Sequence, residues 1–230
     1  SPQEALLEVK KSSKQLLIGI PKELDINENR IVLTPESVSI LVNNGHQLHI
    51  EAGAGEFSKF SDKEYSDAGA HIAYSAREVF ESDIILKVDP PTHEEIQYIK
   101  PGKTLISALQ MAKLSPEYFY ALNAKKITAV GFELIQDKVG GMPVVRAMSE
   151  IVGATSILVA AEFLSNVFNG KGLMLGGVTG VPPTEIVIIG AGTVGEYATR
   201  TALALGAQVK VFDSSLYRLR RLQNNLGNKV

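Results

Sequence analysis

Apolar residues recur along this chain in two alternating rhythms. Short β-type runs, Leu16–Ile20, Gln47–Ile50, Ile84–Val88, Lys103–Ser107 and Ile127–Val130, are separated by stretches whose apolar positions follow a helical period. Thr34-Pro35-Glu36 places a capping hydroxyl, a proline at the first helical position and an acid in the first turn, ahead of Val38, Leu41 and Val42 on one face. Gly45 is the matching stop, and Ser115-Pro116-Glu117 repeats the start signal before Tyr118, Phe119 and Leu122. Strands that alternate with helices predict a mainly parallel sheet with right-handed crossovers.

Gly140-Gly141-Met-Pro143 breaks that rhythm, and Ser149 to Leu164 reads as one long helix, apolar on most faces. A second irregular stretch, Gly170 to Pro183, leads into a strand over Glu185–Ile189, a glycine turn, a helix over Thr193–Leu205 stopped by Gly206, a strand over Gln208–Phe212 and a basic helix from about Ser215 to Asn225. The expected class is α/β: two Rossmann-like, doubly wound parallel-sheet domains, the second truncated. The predicted division is a substrate domain over 1–148, a connecting helix over 149–168 and the N-terminal half of a nucleotide-binding domain over 169–230.

Composition narrows the chemistry. With 45% apolar and 21% charged residues among 230, the chain can bury a core. A net charge of −2 gives no electrostatic basis for nucleic acid or an acidic membrane as partner. The absence of cysteine removes disulfides, thiolate nucleophiles and cysteine-based metal sites. His46 and His49 read as exposed strand positions, and no metal is expected. The charged start, Ser1 to Lys10, is unlike a secretory signal, and no apolar run is expected to reach the ~18 residues of a membrane span, so a cytoplasmic location follows as the default.

The sharpest chemical signal is Gly190-Ala-Gly192-Thr193-Val194-Gly195, directly after a strand and opening a helix, with Asp213 at the tip of the next strand, 213 − 190 = 23 residues on. Glycines allow a tight turn and let backbone N–H groups approach a pyrophosphate, and the aspartate can accept hydrogen bonds from a ribose diol. The acid favours NAD over NADP, although Arg218 stands one turn into the following helix.

Three residues of the first half could meet a substrate. Arg30 offers a planar fork for a carboxylate, or equally a partner for Glu28 or Glu23. Lys87 ends the apolar run Ile84-Ile-Leu at a strand tip, where ligands bind in open α/β sheets, or else snorkels from a sheet edge. Gln110 also follows a strand and can hydrogen-bond but cannot exchange a proton. Lys22 and Glu23, after the first strand, could line the same place or form a solvated pair.

Taken together, Ile18-Gly-Ile-Pro-Lys-Glu23, Asn29-Arg30-Ile-Val-Leu-Thr-Pro35, Glu51-Ala-Gly-Ala-Gly55, Ile85-Leu-Lys87-Val, Met148-Ser-Glu150, Gly176-Gly-Val-Thr-Gly-Val181 and the glycine turn resemble the alanine dehydrogenase family, which shares its fold with the NAD(H)-binding subunit of proton-translocating transhydrogenase. The resemblance runs from about Leu16 to Leu222. It implies NAD-dependent oxidative deamination of L-alanine to pyruvate and ammonia by a homo-oligomer, with Arg30 binding the substrate carboxylate and Lys87 its carboxylate or carbonyl. It places Ser149 against the cofactor and Asp213 with Arg218 at the adenosine ribose. Two departures stand out. The family's catalytic histidine falls on Gln110, and the chain ends at Val230, so it is expected to be an N-terminal fragment. His93, in Pro90-Pro-Thr-His-Glu-Glu95, reads as an exposed helix start rather than a substitute base. A transhydrogenase subunit and a non-catalytic NAD-binding module are the alternatives.

Overall fold

The structure is a computed structural model and describes residues 15–227. The reading of Ser1 to Lys10 as no secretory signal lies outside the described residues. The chain divides into two compact units, one through Leu134 and one from Ile135.

The first unit alternates strand and helix throughout: β1 Leu17–Ile20, α1 Pro35–Asn43, β2 Gln47–Glu51, α2 Asp62–Asp67, β3 His71–Ala73, α3 Ala76–Phe80, β4 Ile84–Leu86, α4 His93–Tyr98, β5 Thr104–Ser107, α5 Pro116–Ala124 and β6 Thr128–Gly131. Its strands form one six-stranded sheet in the order β3-β2-β1-β4-β5-β6, every pair parallel. That is the doubly wound order, in which the direction of winding reverses between β1 and β4 and leaves a crevice at their carboxyl ends.

Both faces of the sheet are covered. Ile18, Ile20, Val38, Leu48, Ile50 and Tyr65 form one buried cluster, and Phe80, Ile85, Ile96, Leu105, Tyr118 and Leu122 another. Ile85 stands beside Gly19 in the register, so it faces the side opposite Ile18 and Ile20. Gly19 has to lack a side chain there: a Cβ would meet the Val79 carbonyl at 2.2 Å, because the end of α3 crosses directly over the strand. The helix starts follow their caps. Thr34 accepts from the Ser37 amide at 3.3 Å, and Thr92 with Glu95 closes a reciprocal capping box at the start of α4.

The second unit holds α6 Pro143–Leu164, β7 Glu185–Ile189, α7 Thr193–Ala204, β8 Gln208–Phe212 and α8 Leu216–Leu226. β7 and β8 pair in parallel from Glu185↔Gln208 to Ile189↔Phe212, the first β-α-β step of a Rossmann-type sheet. Ile157 on α6 packs with Leu175, Ala198, Ala202, Ala207 and Val209. Gly153 permits the close approach of α6 to α7, since a Cβ would stand 2.4 Å from the Val194 carbonyl.

The α/β class and parallel architecture agree with the sequence reading; four details differ. β3 was not foreseen. α6 begins at Pro143 rather than Ser149, its proline being well placed at a first helical position. At 22 residues α6 is long and apolar enough to cross a membrane by length and composition, which corrects the expectation that no stretch would be; 11% of its apolar stretch is buried. His49 is half-buried in β2, and His46 precedes that strand, so neither is the exposed strand position expected.

Candidate functional site

In the first unit, chemistry gathers at the crevice between the carboxyl ends of β1 and β4. Lys87 follows β4 directly, and its amide continues the ladder to the Ile106 carbonyl at 3.0 Å. Its side chain is only 2% exposed, in the centre of the sheet and not at an edge. Such an ammonium needs an anion, and two are present. Glu23, two residues after Pro21 on the loop leaving β1, approaches Nζ with Oε2 at 2.7 Å, and Glu95 of α4 lies with Oε1 at 3.9 Å. Glu23 also accepts the amides of Val88 at 2.6 Å and Asp89 at 3.3 Å. Burial pushes the Glu95 carboxyl above its usual range, against the pull of Lys87 and its capping-box bonds.

Lys87 opens into a groove of about 570 Å³, lined also by Asp25, Asp89, His93, Gln110, Lys113 and Tyr118. Gln110 follows β5 with a left-handed φ of 40°, a conformation few side chains adopt. Glu133 holds it there, its Oε1 accepting the amides of both Leu109 and Gln110 at 2.9 Å. His93 is the exposed first residue of α4, as the sequence suggested, and its ring sits edge-on to Tyr118 at 5.9 Å between centroids. Burial, reinforced by Glu28, raises the Asp89 carboxyl.

Arg30 does not line this groove. Its Nε donates to Glu28 Oε1 at 2.8 Å and its Nη2 to Glu28 Oε2 at 2.5 Å, the local ion pair that the sequence left open beside carboxylate binding. The same bonds hold the Glu28 carboxyl below its usual range. The guanidinium side chain is 54% exposed.

In the second unit, the turn after β7 gives Gly190 a φ of 106°, which favours glycine. The third glycine serves packing: a Cβ on Gly195 would stand 1.9 Å from the Gly190 carbonyl oxygen, whereas above Gly190 and Gly192 there is open space. A groove of about 640 Å³ brings Ser149, Gly190, Gly192, Thr193, Val194, Gly195 and Arg218 together. Asp213, just past β8, is tied across the turn: its Oδ2 accepts the Ala191 amide and its Oδ1 the Ser215 amide, each at 2.7 Å. Those two bonds, with Arg218 3.8 Å away, lower the carboxyl and keep it ionised. Open space above the turn, amides at the start of α7 and an ionised acid at the tip of β8 fit a dinucleotide.

Two family descriptions match in succession: the alanine dehydrogenase/PNT N-terminal domain over residues 19–152 and the alanine dehydrogenase/PNT C-terminal domain over residues 156–230. The chain belongs to the alanine dehydrogenase/PNT family.

Among relatives of this family, it is 43% identical over 216 residues to an alanine dehydrogenase of Methanococcus maripaludis and 38% identical over 215 residues to one of Bacillus subtilis. Each alignment takes in 94% of this chain but 58% and 56% of those proteins, so the chain spans under two thirds of their length. A solved L-alanine dehydrogenase superposes with a TM-score of 0.86 at 36% identity, over 94% of this chain and 59% of that one. A transhydrogenase from Sinorhizobium meliloti superposes at 0.79 with 29% identity, over 90% of this chain and 62% of that one.

Sequence reasoning ranked Glu23 low and missed Glu95 and Glu133. Glu95 carried a signal, because Thr92-His-Glu-Glu95 is a capping-box pattern directly after Pro90-Pro91. Glu133 carried none, since its bonds reach back 24 residues to Leu109.

Proposed function

We propose that the whole protein is an NAD-dependent alanine dehydrogenase, which converts L-alanine, NAD and water to pyruvate, ammonium, NADH and a proton. The observation that carries this reading is the buried ammonium of Lys87 at the switch point of the first unit, opening into the groove that also holds Gln110. Over 40% identity to a protein named alanine dehydrogenase supports the choice of substrate. In this reading residues 1–148 form the substrate domain, 149–168 the connecting helix and 169–230 the first half of the NAD domain.

When bound, NAD supplies the hydride acceptor for the amino-acid Cα. The turn of Gly190, Gly192, Thr193, Val194 and Gly195 offers backbone N–H groups to its pyrophosphate, Asp213 and Arg218 meet the adenosine ribose, and Ser149 contacts the cofactor from α6. Lys87 hydrogen-bonds the substrate carboxylate or carbonyl and polarises it. On binding, the fork of Arg30 passes from Glu28 to the substrate carboxylate. Gln110 orients an oxygen of the substrate without taking its proton. The protein works in the cytoplasm as a homo-oligomer, with neither nucleic acid nor membrane as partner.

The test is the rate of NADH formation by the full-length protein with L-alanine and NAD. Alanine-dependent turnover is expected; none above the rate without alanine would reject the reading. The likeness to a transhydrogenase is weaker in identity, and no residue described above favours that reading.

A further inference from the structure

We infer that Glu23 is a positioning residue: its buried carboxylate fixes the ammonium of Lys87 in the substrate groove by joining the loop after β1 to the loop after β4. The inference rests on the proposed role of Lys87. Three bonds support it. Glu23 accepts from Lys87 Nζ at 2.7 Å through one oxygen and from the Val88 amide at 2.6 Å through the other, with the Asp89 amide at 3.3 Å. Its side chain is 8% exposed. One carboxylate therefore sets both the side-chain direction of Lys87 and the path of the backbone that follows it.

The geometry is unlike that of a surface ion pair. Lysine is a flexible four-carbon stem with a point charge, so its ammonium has no direction of its own. Here it sits where the strand order reverses between β1 and β4 and the two loops diverge, and the Glu23 side chain reaches across. Glu95 approaches from α4 at 3.9 Å, beyond a good hydrogen bond, and its Oε2 is already engaged by the Thr92 amide at 2.6 Å. Glu95 adds charge alone, whereas Glu23 adds both charge and direction. Glu28 and Asp89 also act on Lys87 through their charges, Arg30 acts on Glu23 and Asp89, and Asp25, His93 and Lys113 line the groove.

Glu23→Gln keeps the shape and removes the charge, and Glu23→Asp keeps the charge on a shorter arm. In the full-length enzyme, Glu23→Gln is expected to lower kcat/KM for L-alanine by about 100-fold, the scale of a ~1 Å misplacement of a reacting group. It should also move the alkaline limb of the pH–rate profile to lower pH, because the ammonium loses its nearest anion. Glu23→Asp should retain that limb. A merely structural glutamate would reduce the folded yield and leave the limb in place.

The same charge is readable without turnover, from the pH dependence of Lys87 acetylation by acetic anhydride, followed by peptide mass spectrometry. The midpoint should fall in Glu23→Gln. An unmoved midpoint together with an unmoved alkaline limb overturns the inference even where the wild type oxidises alanine. A shifted midpoint in a protein that forms no alanine-dependent NADH overturns the proposed function while confirming that Glu23 holds Lys87 charged.

Discussion

Lys87→Met removes the one cation from a buried group that also holds Glu23 and Glu95, and its cost can be bounded from the structure. Methionine matches the lysine stem closely, so packing changes little and the effect is electrostatic. Glu23 keeps two backbone amide donors, at 2.6 and 3.3 Å, whereas the Glu95 carboxyl, which burial already pushes up, loses the cation that pulled it down. Protonation of Glu95 relieves the uncompensated charge and so sets a ceiling on the cost. From an ordinary pKa of 4.5, uptake of that proton costs at most about 3.4 kcal/mol at pH 7 and about 0.7 kcal/mol at pH 5, at about 1.36 kcal/mol per unit. The ceiling at pH 7 matches the ~3–5 kcal/mol expected for breaking a buried pair from one side. The sign follows from linkage. Glu95 in the variant has a folded pKa above its unfolded one, so its stability is whole below about 4.5 and is lost as pH rises through the folded value. Urea unfolding of the full-length protein, with hydrogen exchange of β4 and β5 amides to localise the loss, measures this. Lys87→Met should be most destabilised at pH 7 and recover most of the loss at pH 5, and Lys87→Met/Glu95→Gln should recover it at pH 7. An equal loss at both pH values, unrelieved by the second substitution, would refute the charge argument.

Gly195→Ala places a methyl 1.9 Å from the Gly190 carbonyl oxygen, where only backbone can yield; NAD affinity should fall more than tenfold by calorimetry, with a stability loss of about 1–3 kcal/mol. Lys125→Met strips the carbonyls of Ile96, Gln97 and Ile99 of an ammonium 2.8, 2.6 and 2.9 Å away; since water can replace part of it, a loss of about 1–2 kcal/mol is expected, seen as faster hydrogen exchange in α4. His49 has its pKa lowered first by burial and then by His71, against the pull of Glu78, so its contribution is present above 6.5 and lost on acidification through its folded value. His49→Gln should accordingly flatten the acid side of the urea-midpoint profile, and an unchanged profile would place the acid sensitivity elsewhere.

Much of the fold was legible because its signals are local. Thr34-Pro35, Ser115-Pro116 and Gly45 act within a turn of the chain, and the helices they bound begin and end within a residue or two of expectation. β3 escaped because three residues, His71-Ile-Ala73, are too few to establish a period and hold their place through pairing with β2. The start of α6 escaped because Gly140-Gly141-Met142 dominated the reading of Pro143, a residue that ends one helix as readily as it opens another. The glycine turn was the most legible stretch of structure, since strand, turn, helix and acid follow one another in sequence and in space.

The groove beside Lys87 divides differently. Lys87 and Gln110 could be found one at a time, from the rule that residues just past parallel strands face the ligand edge. Their partners could not, because Glu23 lies 64 residues from Lys87 and Glu133 lies 23 from Gln110. What joins Glu23 to Lys87 is the reversal of winding between β1 and β4, a property of the strand order. Once that order is known the pairing follows: both loops leave the same end of adjacent strands, an ammonium 2% exposed cannot remain without an anion, and Glu23 is the first carboxylate on the neighbouring loop. Arg30 shows the opposite limit. Glu28, two residues before it, satisfies its fork locally, so an arginine that sequence marks for a carboxylate already holds one, and any substrate carboxylate must compete with Glu28 for it. Lys87 faces no such exchange, because its bond to Glu23 occupies one of three ammonium donors and steadies the group. Between the two cations, Lys87 is therefore the one whose position is settled before any substrate arrives.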